Sequence, residues 1–230
     1  MTKCRYICLL LFVLFFHSIV AQEKKDSLRL QFHFKFDNTL LKTNQSYISK
    51  QHDTLQIDAI RFYVSDIQIQ YADDTFLKSD TNHLVDLEIP TSHQIPLGLN
   101  NKKEIKKIIF SVGVDSLASV SGALSGDLDP AKGMYWAWQS GYINMKIEGK
   151  SASCKTRKNQ FQFHLGGYLK PYNALRTIAL ETKNTHTINV AVDLANFFSE
   201  VSLSQINSVM IQGKRAMQLA DTSVKMFTVE

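Results

Sequence analysis

Cysteine is the first scarcity. The 230-residue chain carries three, and Cys4 and Cys8 fall before or inside an apolar N-terminal run. Cys154 is then left by itself, so no internal disulfide staples the fold and a packed core must hold it together. Its setting, Lys150-Ser151-Ala152-Ser153-Cys154-Lys155, predicts an exposed hairpin tip with a free thiol. Enzyme signatures are missing too. There is no Gly-x-Ser-x-Gly, no phosphate-cradling glycine loop followed by Lys-Ser/Thr, no Gly-x-Gly-x-x-Gly and no His-Glu-x-x-His. No spacing brings two carboxylates together around Glu148, with Asp66 and Asp86 the nearest candidates, so a glycosidase pair has no support. The expectation is a protein that is not an enzyme. Dense basic runs with interleaved aromatics are also lacking, and the formal charge is only +5, which removes nucleic acid as a partner. Lys102-Lys103 and Lys106-Lys107 bracket Glu104 and suit a solvated turn.

The N-terminus has the layout of a secretory signal peptide. Lys3 and Arg5 precede an apolar run at residues 7–16, and Ser18-Ile19-Val20-Ala21 offers a small residue for cleavage before polar Gln22-Glu23-Lys24-Lys25. The apolar run is too short to span a bilayer. We therefore expect a signal peptide at 1–21, a single domain at 22–230 with no membrane span after cleavage, and a periplasmic or secreted location; a retained anchor is the alternative.

Beyond the leader, period-two patterning dominates. In residues 28–36, Leu28, Leu30, Phe32, Phe34 and Phe36 share one face, and Arg29, Gln31, His33 and Lys35 share the other. Residues 55–71 form a longer extended run whose register changes, which predicts a bulge near Ser65-Asp66. Further strands are expected at 84–89, 105–112, 142–147, 160–165, 174–181, 186–192 and 224–229. Asp193 should cap a short helix at 194–198, and residues 214–220 suit a second. Residues 114–134 show no period and are rich in Gly, Ser, Asp and Pro, as a long loop with one helical turn would be. Many short strands without strand–helix alternation predict an all-β fold: an antiparallel, Greek-key-like β-sandwich with one or two short helices, a closed barrel being the rival.

The stretch from Gly126 to Lys150 holds both tryptophans. If the segment is extended, Trp136 and Trp138 present two indoles to one surface; packing at one end of a sandwich core is the other reading. Asp115, Asp127 and Asp129 sit in the long loop, where side-chain hydrogen bonds to turns suit them better than Ca²⁺. The histidines beyond the leader are His33, His52, His83, His93, His164 and His186, with no His-x-His among them. His164 stands out, on the polar side of its strand beside Gly166-Gly167, although a hydrogen-bonded strand-end histidine explains it as well. His33 sits among Arg29, Gln31 and Lys35 on a polar face.

Several segments together resemble the methanobactin-associated copper-binding periplasmic proteins, the MbnP-like family. They are Arg61-Phe62-Tyr63-Val64-Ser65-Asp66-Ile67, Ser111-Val112-Gly113-Val114-Asp115, Leu128-Asp129-Pro130-Ala131-Lys132-Gly133-Met134-Tyr135-Trp136-Ala137-Trp138 and Phe163-His164-Leu165-Gly166. Met226-Phe227 near the C-terminus fits as well. The resemblance implies an exported β-rich domain, a Cu(I) site built from histidines and a tryptophan oxidised to kynurenine, and a di-haem peroxidase-like partner that performs the oxidation. Carried over by position, it implies metal ligands at His164 and at Trp136 or Trp138; a second donor would have to be His33, Met134 or another residue not yet placed. The expected function is non-catalytic Cu(I) sequestration or delivery. The alternative is a metal-free interaction module whose exposed Trp pair stacks on a sugar or peptide.

Overall fold

The computed structural model describes residues 27–99, 103–138, 141–183 and 186–230; the expected signal peptide lies outside them. The alternating run becomes β1 (Ser27–Phe36), whose five apolar residues are buried while their neighbours stay partly exposed. Next come β2 (Thr39–Leu40), β3 (Ser46–Ile48), β4 (Thr54–Tyr71), β5 (Phe76–Ser79), β6 (His83–Asp86), β7 (Gln94–Leu99) and β8 (Ile105–Val112). The second half adds β9 (Tyr135–Trp136), β10 (Gly141–Ser151), β11 (Gln160–Gly166), β12 (Arg176–Glu181), β13 (Thr187–Asp193), β14 (Ser208–Val209) and β15 (Phe227–Val229). Three α-helices occur among the described residues: α1 (Ser116–Val120), α2 (Leu194–Phe198) and α3 (Lys214–Ser223).

Strands with one apolar face bury it by closing on a second sheet. The smaller sheet runs β15-β13-β1-β2, with β7 also on β1. The larger runs β12-β8-β4-β10-β11-β14, with β3, β5 and β6 on β4 and β9 on β10. Rings from the two sheets interlock between them. Phe32 meets Phe62 edge-on at 5.4 Å and Phe110 at 5.9 Å, and Phe227 meets Phe62 at 5.4 Å. The all-β sandwich is thus as expected. Two pairings, β1 with β13 and β11 with β14, are parallel rather than antiparallel. Parallel neighbours need a long crossover, and the chain builds most of the larger sheet before β13 returns to β1.

The expected bulge is present: β4 shifts register against β8 between Ser65 and Gln68, and Asp66 takes φ 49°. Asp193 caps α2 by accepting from the Ala195 N–H at 2.9 Å. One expectation fails at Cys154. The residue is buried in the main core, and burial pushes its thiol pKa up. Its Ser-rich neighbours suggest exposure, but the side chain turns into the main core, where cysteine packs as a small hydrophobe.

The 114–134 loop is what positions the site. It lies as a cap on the outer face of the larger sheet, and beneath it is a second apolar cluster of Tyr63, Leu84, Val114, Leu128, Met134, Trp136, Tyr142 and Ile143. This explains why β4 is buried on both faces at Phe62, Tyr63, Val64 and Ser65. The loop aspartates do serve turns. Asp115 accepts from the Ala118 N–H at 2.7 Å to start α1, and Asp129 from the Ala131 N–H at 2.8 Å.

Candidate functional site

Two tyrosines pin the cap from below. The Tyr142 hydroxyl accepts from the Leu124 N–H at 3.0 Å and donates to the Leu128 carbonyl at 3.0 Å; the Tyr63 hydroxyl donates to the Asp127 carbonyl at 3.1 Å. Two cations clip its far end. Lys146 Nζ donates to the Gly133 carbonyl at 2.7 Å, and Arg61 Nη1 reaches the Lys132 carbonyl at 3.4 Å. The cap then enters β9, which pairs with the start of β10 and places Trp136 opposite Gly141.

Trp136 is buried, 2 % exposed. Its six-membered ring fills the space a side chain would take at position 166: a Cβ there would stand 2.7 Å from Cζ3 of Trp136 and 2.7 Å from the Tyr142 carbonyl oxygen. Gly166 therefore admits an indole to the sheet surface. The Trp136 Nε1 is buried and has no hydrogen-bond partner, a state that costs about 1–3 kcal/mol. Trp138 behaves differently. It lies in the turn beyond β9, 67 % exposed, its ring 6.3 Å from that of Trp136. The two indoles are neighbours, but they do not both face solvent as an extended Trp-x-Trp segment would predict. The strand ends at Trp136, and the turn separates the two environments.

His164 occupies β11 on the same outer face, one same-face step from Gly166, or roughly 7 Å along the strand. It is 6 % exposed, and its Nε2 lies 2.6 Å from Oε1 of Glu148 on β10. In register, His164 faces Lys146, and Lys146 faces Arg61 across β4, which in turn faces Asp86 on β6. Charged and hydrogen-bonding side chains thus cross four strands. Arg61 Nε contacts Asp86 Oδ2 at 2.7 Å, and its Nη2 reaches Glu88 at 2.9 Å. The hydrogen bond from His164, aided by the charges of Lys146 and Arg61, holds the Glu148 carboxyl below its usual range despite burial. Burial lowers the Lys146 ammonium. Sequence reasoning missed Glu148, Lys146 and Arg61 as site residues. The alternation in β10 marked a polar face, but cross-strand register chose its neighbours.

A model of the MbnP family matches residues 25–211. The chain belongs to the MbnP family. Its fold is similar to that of the solved structure of MbnP from Methylosinus trichosporium, with a TM-score of 0.61 at 14% identity over 82% of each chain. A comparison with curated proteins finds no match.

Within this MbnP-family chain, not every anticipated ligand converges. His33 lies on the outward face of β1 in the smaller sheet, with Nδ1 2.6 Å from Glu230 Oε2. The whole sandwich separates it from His164, because both residues point away from the shared core. Met134 is fully buried in the cluster that holds Trp136. Among the described residues no group of three His, Cys, Asp or Glu side chains gathers as a cage. What is present suits a soft, low-coordinate ion. The donor types of that kind are the buried His164 imidazole, held by a carboxylate at Nε2, and the Met134 thioether in the adjoining cluster; the unpartnered Trp136 Nε1–H is a donor only and has no lone pair to give a metal.

Proposed function

We propose that this chain is an exported, non-catalytic copper protein that holds Cu(I) as cargo on the outer face of the larger sheet, for sequestration or delivery. The carrying observation is the His164–Glu148 pair at 2.6 Å, one same-face step from the glycine against which Trp136 packs. Imidazole and thioether donors suit Cu(I), and the His164 ring is itself buried. In this reading His164 is the imidazole ligand. Trp136 is the tryptophan whose oxidised form would join it, and exposed Trp138 is the indole that a di-haem peroxidase-like partner meets. Purified protein competing with a colorimetric chelator should take up one equivalent of Cu(I), and His164→Ala should abolish tight uptake. No uptake by the wild type removes the proposal. The exposure of Trp138 favours a second reading, a metal-free module that stacks this one indole on a sugar or peptide. Binding lost in Trp138→Ala and indifferent to chelators would favour it.

A further inference from the structure

At one end of the larger sheet, where β11 runs out, the loop to β12 (167–175) meets the segment leading from β14 into α3 (210–213). A Cβ at Gly167 would stand 2.6 Å from the Tyr172 carbonyl oxygen and 3.2 Å from Gln212 Cβ, so the two segments touch at that glycine. Arg176 braces them. Its Nη1 donates to the Asn173 and Leu175 carbonyls at 2.9 and 2.8 Å, its Nη2 to the Met217 carbonyl in α3 at 3.0 Å, and its Nε to Asp221 Oδ1 at 2.6 Å. On this braced surface Leu169 and Ile211 are 57 % and 59 % exposed, with Tyr172 and Met210 exposed beside them. Single exposed apolar residues are ordinary, but four on two touching segments mark an interaction surface.

The charge around them has one sign. Lys170, Lys214 and Arg215 are exposed and make no ion pair with any described residue. No Asp or Glu occurs at 166–175 or 205–217, and Asp221 is taken by Arg176. Lys214 and Arg215 also stand in the first turn of α3, opposed to the helix dipole, and no side chain caps that end. Two cations so placed cost stability unless an anion faces them. A stable protein interface takes about 20–30 residues a side, and these segments offer roughly half that number. Apolar loop side chains ringed by unpaired cations suit a bilayer boundary instead, where the apolar groups enter the headgroup zone and the cations meet lipid phosphates.

We propose that this surface docks the protein peripherally on an anionic lipid bilayer, with Leu169 and Ile211 entering the boundary and Lys170, Lys214 and Arg215 on lipid phosphates. None of the residues assigned to copper takes part, so the inference stands apart from that reading. The test uses the chain from Gln22 onward, which keeps every described residue and omits the apolar run at 7–16 that would itself bind lipid. Wild type should sediment at low salt with phosphatidylcholine vesicles containing about one-third phosphatidylglycerol, and not with phosphatidylcholine alone. Lys214→Gln with Arg215→Gln should weaken binding about 25-fold, or about fivefold per cation. Leu169→Ser with Ile211→Ser should weaken it at least about tenfold. All four side chains are exposed, so both double variants should melt like wild type; each pair is read separately, so misfolding of one leaves the other decisive. Wild type that ignores anionic vesicles, or binds neutral ones equally, overturns the proposal, as do natively melting variants that bind like wild type. Failure to sediment combined with a dimer that the Leu169→Ser and Ile211→Ser pair dissociates would also overturn it and give the surface to a second copy of this chain.

Discussion

Replacing Gly166 with alanine tests the packing on which the site depends. The position has no left-handed backbone, so the effect is steric. The new methyl would stand 2.7 Å from Trp136 Cζ3 and 2.7 Å from the Tyr142 carbonyl oxygen. Carbon contacts prefer about 3.5–4.0 Å, so about 1 Å of overlap must be relieved. The carbonyl belongs to β10, where Tyr142 pairs with Tyr135 of β9 and the next residue with Gly166 of β11, so it cannot retreat without disturbing the sheet. The indole must move instead, out of a cluster closed by the pinned cap. Such overpacking costs about 1–3 kcal/mol, which raises the unfolding constant by about 5- to 150-fold. Urea denaturation should show a lower midpoint with an unchanged slope. Iodide quenching gives an independent readout. Wild type should show one shielded and one accessible tryptophan, Trp136 at 2 % and Trp138 at 67 % exposure, and the variant should expose the shielded one. A variant with the wild-type midpoint and an unchanged shielded class would refute the reasoning.

Glu148 has its carboxyl pKa lowered in the folded state, first by the His164 hydrogen bond. Its contribution is therefore present above the ordinary glutamate pKa and is lost as pH falls below about 4; the melting-temperature gap between wild type and Glu148→Gln should close from pH 7 to pH 3. Tyr63 is raised by burial, so its contribution is full below about pH 10 and is lost as pH rises further. Tyr63→Phe should blunt that alkaline loss in pH-dependent melts and, by removing the bond to the Asp127 carbonyl, cost about 0.5–1.5 kcal/mol at neutral pH. Native Cys154 should resist a thiol reagent that labels the urea-unfolded chain quickly, because it is 1 % exposed; fast native labelling would contradict its burial.

Much of the fold was legible locally. Strict alternation in β1, the bulge at Asp66 that breaks the alternation of β4, and the Asp193 cap are properties of short stretches, and each appears where the pattern put it. His164 was legible as a polar-face residue beside a glycine pair, and its bonding to Glu148 agrees with the plainer reading of that histidine. Cys154, the split environments of Trp136 and Trp138, and the position of the polar face of His33 across the sandwich from His164 were not. All three depend on what another segment lays against them.

By itself, then, the sequence determined strand periods, helix caps, loop positions and family, because these depend on residues close together along the chain. Only the tertiary structure decided that His164 meets Glu148, that the cap buries one tryptophan and leaves the next in solvent, and that β1 turns His33 to the opposite side. Cross-strand register and the pairing of sheet faces join residues far apart in sequence, and period two records only that a residue has a polar side, never what stands there.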